Sequence, residues 1–177
     1  MKDLKKGILY EIHTGGDEDN YDVGYLLTQD DSHIIFQTVN VNGFEDGLLL
    51  HRTDDIDKVQ FNTKYTDGIA KMIQHHQTKL KEIKFSNANL LMEVLHYAKN
   101  NKSMVGISLK NSGVLNLLGF VETITKESIT TLEIGNDGEV EGNGLAKIDD
   151  IDYIGVDMYR HQKNKILFSM NKQKGKT

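Results

Sequence analysis

The chain has 177 residues, of which 38% are apolar and 27% charged, with a net charge of −5. That length fits one good-sized domain or two small ones, and the composition is that of a folded, water-soluble chain. No cysteine is present, which excludes a disulfide framework, a thiol nucleophile and any zinc site built on thiolates.

At the N-terminus "MKDLKKGILYEIHTGG" starts basic, but its apolar run is only Ile8, Leu9 and Tyr10 before Glu11 interrupts it. This is too short for a signal sequence, and no apolar stretch approaches the roughly 20 residues of a membrane span. A cytoplasmic protein without membrane contact is expected. "KGILYEIHT" predicts a first strand, and the acidic loop "GGDEDNYD" follows. Asp17, Asp19 and Asp22 hint there at a calcium loop, but Asp22 stands where an EF-hand needs Gly and Thr28 where it needs Glu, so a solvated loop is the better reading. "GYLLT" and "HIIFQTV", flanking "QDDS", predict a hairpin, and "NVNGFEDG" a glycine-marked turn into a fourth strand at "LLLHR". The acidic tetrapeptide DDID at 54–57 then opens a last strand, "KVQFN".

Two helices are predicted next. "TDGIAKMIQHHQTKLKEI" sets Ile69, Met72, Ile73, Leu80 and Ile83 at helical spacing, and "SNANLLMEVLHYAKNN" does so with Leu90, Leu91, Val94, Leu95 and Ala98 behind a cap at Ser86. His75 and His76 are neighbours and diverge by about 100° on a helix, so they cannot share a metal. After "SMVGISLKN", the strands "GFVETI" and "SITTLEI", the turn "GNDGEVEGNG", the strand "GLAKI" and the stretch "YIGVDMY" repeat the earlier order. In "HQKNKILFSMNKQKGKT" the alternation of Ile166, Phe168 and Met170 with Leu167 and Ser169 predicts a final strand, with the last six residues mobile.

DDID recurs at 149–152, and in that register residues 24–59 align with 119–154 without a gap, ten of 36 positions being identical. Glycines 24, 43 and 47 fall on 119, 138 and 142, and Leu50 falls on Leu145, the pattern of a tandem duplication. In each tetrapeptide the first Asp is a natural N-cap. Ile56 and Val59, like Ile151 and Ile154, lie three apart, so one helical or 3₁₀ turn would bury both. A hard cation wants about six oxygens, which one such turn does not offer.

Five short strands, a glycine-marked turn and a one-turn plug before the last strand resemble the SH3-like and Sm-like small barrels over about residues 1–65 and 101–170. The resemblance implies an α+β, mainly β protein: one five-stranded barrel at 1–65, a two-helix linker at 66–100, and a second barrel at 101–177 ending in a basic tail. Sm-like proteins assemble into rings through edge strands and bind single-stranded RNA through two loops. The matching first loops here are "TQDDSHI" and "TITKESI", without the usual Asn. The second loops are Leu50-His51-Arg52-Thr53-Asp54 and Ala146-Lys147-Ile148-Asp149, without the usual Gly.

Charge is segregated. Residues 1–65 hold six Lys/Arg against thirteen Asp/Glu and residues 104–160 four against ten, whereas residues 66–103 hold six against three and residues 161–177 five Lys and no acid. Nucleic acid would be repelled by the barrels and attracted to the helices and tail, unless the basic segments neutralise the acidic ones internally. The candidate nucleic-acid contacts are Arg52, Lys147, Lys172, Lys174 and Lys176. "HTGGDEDN" lacks the Lys and helix of a phosphate loop, and Ser103, Ser112 and Ser128 have no His in a nucleophile context. No catalytic, cofactor or metal residue is expected. The leading expectation is a non-enzymatic module that binds another protein or self-assembles, with Sm-like RNA binding as the alternative.

Overall fold

The computed structural model describes residues 4–15, 21–86, 88–110, 112 and 114–174. It is mainly β, with ten strands and three α-helices among the described residues, and it divides into two compact units, Met1–Leu91 and Met92–Thr177. Asp17, Asp19, Lys176 and the end of the expected mobile tail lie outside the described residues.

In the first unit β1 (Leu9–Thr14), β2 (Tyr21–Gln29), β3 (His33–Val39), β4 (Glu45–Arg52) and β5 (Ile56–Phe61) form an antiparallel sheet in the order β5-β1-β2-β3-β4. The "HIIF" run of β3 buries Ile34, Ile35 and Phe36 completely, which is why it is continuously apolar rather than alternating. The helix α1 (Lys64–His76) crosses one face. It packs Ile69 on Leu9, Val23 and Val39, with Ile73, Leu80, Tyr21 and Tyr25 around them.

The second unit has β6 (Met104–Leu109), β7 (Leu117–Ile124), β8 (Ser128–Ile134), β9 (Val140–Lys147) and β10 (Ile151–Val156) in the order β10-β6-β7-β8-β9. The helix α2 (Leu90–Asn101) leads into it and α3 (Tyr159–Lys174) follows it. Strands β6, β8, β9 and β10 and the start of α3 each lie 95 positions after their counterparts in the first unit. Irregularities obey the same offset: the bulge at Leu26/Thr28 recurs at Val121/Thr123, and the left-handed Asn62 (φ 56°) recurs as Asp157 (φ 52°).

Five expectations need correction. Neither sheet closes into a barrel, because a three-residue 3₁₀ turn delivers the last strand to the far side of the first strand, and the first-unit sheet ends at β4 and β5. Those turns are Thr53–Asp55 and Ile148–Asp150, their caps are Arg52 and Lys147 without side-chain bonds, and Asp54 and Asp149 lie inside them; Ile56 and Ile151 follow at once and are buried. The first helix stops at His76, where Gln77 turns left-handed (φ 51°) and donates its N–H to Gln74 and Ile73, so Leu80 and Ile83 belong to a segment without helix or strand. The expected final strand is helical. Asp157, held by the Met104 N–H at 2.9 Å and Lys165 Nζ at 2.6 Å, turns the chain into α3.

The second helix begins at Leu90, not at Ser86, and its first N–H reaches across to Asp30 Oδ2 at 3.2 Å. Asp30 also accepts from the N–H groups of Ser32 (2.8 Å) and His33 (2.7 Å). Burial alone would raise its pKa, but these three backbone donors and nearby His33 outweigh it and hold the carboxyl below its ordinary value.

Candidate interaction surfaces

In each unit the turn between the third and fourth strands is seated on the helix. In the first, Gly43 (φ +78°) lies so close to α1 that an added Cβ would be 2.6 Å from Ile73 N; in the second, Gly138 (φ +80°) would place one 2.4 Å from Leu167 Cβ on α3. Only glycine combines that φ with that approach. Two asparagines of α3 fasten the turn: Asn164 Nδ2 donates to Gly135 O at 2.9 Å and Asn171 Nδ2 to Asp137 O at 3.2 Å.

A groove of about 410 Å³ runs along this seam of the second unit, lined by Leu132, Gly138, Glu139, Val140, Phe168, Asn171 and Lys172. Phe168 stands against Phe120 with ring centroids 5.1 Å apart, and Lys172 Nζ lies 5.8 Å over the Phe168 ring. The groove offers an apolar floor with an acidic and a basic group on its walls, which suits a side chain or a short peptide.

The outer strand of this unit is the second feature. Among the described residues β9 pairs with β8 alone. Its middle, Gly142 to Ala146, has no charged residue, whereas edge strands are commonly guarded by charges. Leu145 is 74% exposed and Val140 51%. Leu50, at the matching register position opposite Ile35, is 0% exposed.

Beneath the helix starts lie buried polar groups. In the first unit Thr63 and Thr66 form a reciprocal capping box, each side chain accepting the other's N–H at 3.0 Å, and Thr63 Oγ1 donates to Glu11. Glu11 thus ties the cap to β1. His13, also buried, lies 3.9 Å from Glu11 and 4.8 Å from the ring of Tyr21. In the second unit the position of Glu11 is taken by Gly106 and that of Thr66 by His161, whose ring occupies the space a Cβ at 106 would need, 2.6 Å away. Burial, reinforced by the Arg160 charge and opposed by Asp157, pushes the His161 pKa down to about 4. The ring is therefore neutral at pH 7.

Four of the expected nucleic-acid contacts fall on described residues. Arg52 ends β4 in the first unit, half-buried opposite His33. Lys147 ends β9 opposite Ser128, while Lys172 lines the groove beside Val140 at the other end of that strand, about 23 Å away at the rise of an extended chain. Lys174 is the last residue of α3. Sequence reasoning missed the groove, because its walls meet only once α3 is recognised as a helix. Compared with family models, with curated proteins and with solved structures, the chain finds no match. Among the described residues no helix is long and apolar enough to cross a membrane.

Proposed function

We propose that the protein is a non-enzymatic interaction module, a chain of two related five-stranded units whose second unit associates with other protein chains through strand β9. The observation that carries this reading is the contrast between Leu50, fully buried, and Leu145, 74% exposed at the equivalent position. Covering a leucine is worth about 1.5–3 kcal/mol, so a partner strand added to β9 gains main-chain hydrogen bonds together with the burial of Leu145 and Val140. The face of α3 that carries Tyr159 (64% exposed), Ile166 (58%) and Met170 (49%) adds apolar surface in the same unit.

Sedimentation of the purified protein across a range of concentrations, together with the A260/A280 ratio of the preparation, tests this. Concentration-dependent association, or capture of a protein that Leu145→Lys no longer captures, is expected. A monomer at every concentration whose associations ignore Leu145→Lys, or co-purifying RNA that this variant retains in full, would overturn the reading.

A further inference from the structure

We infer that the groove of the second unit is a docking site for an extended peptide, supplied by a partner protein, in which apolar side chains alternate with lysines. The first unit shows what fits there. Its equivalent of the groove lining, 95 positions earlier, is Gln37, Gly43, Phe44, Glu45, Ile73, His76 and Gln77; the chain's own segment 78–83 lies against Gln37, Gly43 and Ile73, while Phe44 stacks on the His76 ring at 4.4 Å. Thr78 Oγ1 donates to Gly43 O at 2.7 Å, Gln37 Nε2 donates to Lys81 O at 3.0 Å, and Leu80 packs with Ile73 and Tyr25 on the core. The segment reads Thr-Lys-Leu-Lys-Glu-Ile, outside any helix or strand, with Leu80 turned onto the core.

The second unit keeps the seat, and among the described residues the seat is open. Phe120 and Phe168 hold the register positions of Tyr25 and Ile73, which pack with Leu80 on one core cluster, and Gly138 presents the turn that Gly43 presents to Thr78. Among the described residues of this unit, no segment turns back over the seat. Gln77 breaks α1 with a left-handed turn, but its counterpart Lys172 is helical and α3 runs on through Lys174.

Charge selects the occupant. Residues 132–141, which form the strand end and turn beside the groove, hold Glu133, Asp137, Glu139 and Glu141 and no basic residue, whereas the corresponding 37–46 hold only Glu45 and Asp46. Lys172 on the helix wall, where the first unit has Gln77, offsets one of these four acids, so the open seat carries a net −3 against −2 and still favours a basic peptide. The inference does not depend on strand addition at β9; Val140 borders both surfaces, and Glu139→Lys and Leu145→Lys tell them apart.

The test uses a labelled synthetic peptide with the sequence of residues 77–84, QTKLKEIK, titrated against the whole protein by fluorescence anisotropy at low salt, with amide NMR shifts to locate it. Saturable binding below about 1 mM peptide is expected, with shifts centred on Leu132, Gly138 and Phe168. Val140→Lys and Glu139→Lys, both at exposed positions, should each weaken it about tenfold or more, as should an Asp in place of the peptide's leucine. Leu145→Lys should leave the affinity unchanged. No saturable binding, equal binding of a scrambled peptide, or shifts confined to Gln37, Gly43 and Ile73, which would mean displacement of the resident segment, would each overturn the assignment.

Discussion

Replacing His161 by Leu should flatten the dependence of stability on pH. The ring is 2% exposed and neither of its nitrogens has a hydrogen-bond partner among the described residues. Its pKa is about 4 in the fold against the ordinary 6.5, so between those values the unfolded chain takes up a proton that the folded chain refuses. Stability from this group is present in full above pH 6.5 and falls as the pH drops towards 4. Below that it levels off, because both states are then protonated. A shift of about 2.5 units at 1.36 kcal/mol per unit sets the loss at roughly 3 kcal/mol. Leu fills a similar volume and removes two buried, unpaired polar atoms, so at pH 7.5 the variant should lie within about 1.5 kcal/mol of wild type. Urea denaturation of both proteins at pH 7.5 and at pH 4 isolates the effect, since carboxylates common to both cancel in the double difference. Wild type should lose about 3 kcal/mol more than His161→Leu between those pH values. Equal losses would refute the reasoning, as would an NMR titration of the His161 ring with a midpoint near 6.5.

Other substitutions probe the frame. Gly138→Ala should cost about 2–4 kcal/mol, because the methyl meets α3 at a φ that disfavours any side chain, and Gly43→Ala should behave alike; thermal melts that match wild type would show that the turn is not pressed on the helix. Asp30→Ala frees three backbone donors and should cost about 2–3 kcal/mol at pH 7. Because its carboxyl is held below the ordinary value, the gap between this variant and wild type should close as the pH falls through that lowered value, which denaturation curves between pH 7 and pH 2 will show. Ile151→Asp buries a carboxylate where Ile151 is 1% exposed and should cost several kcal/mol; an unchanged melting temperature would place that side chain in water.

The strands were legible because their patterns are local. "HIIFQTV" and "SITTLEI" announce themselves by β-branched content and flanking turns, and β3 and β8 span those same residues. Helix α3 was not legible because it is inverted. Its inward positions are His161, Asn164 and, half-buried, Phe168, while Tyr159, Ile166 and Met170 face out; a search for an apolar stripe at helical spacing finds the wrong face and then settles on a period of two. Asn164 is inside to hold the Gly135 carbonyl, a tertiary reason that no local pattern carries. The overlong first helix failed for a different reason: Leu80 and Ile83 suit a continuing helix and a fold-back equally, and the left-handed Gln77 that decides between them is an ordinary residue in a glycine's role. The groove needed the 95-residue register to be carried past residue 59, but residues 63–77 share no identical position with 158–172. Helix against helix can be matched there only by geometry.

That silence in the alignment has a physical basis in how the helix seat is shared between two elements. In the first unit β1 contributes a long Glu11 and the helix small Thr63 and Thr66; in the second β6 contributes Gly106 and the helix a large His161. The bulk has moved from strand to helix while the space between them is filled in both. Either change alone is unfavourable: an acidic side chain at 106 would collide with the His161 ring, and a threonine at 161 above Gly106 would leave a void. Positions so coupled can exchange only in concert, and once exchanged they share no residue type, so the packing frame persists exactly where the sequence resemblance ends. The same freedom applies at the surface. With each helix anchored by its own seat, the first unit could turn its chain back after Gln77 and lay Thr78 and Leu80 on its sheet, while the second could run α3 on to Lys174.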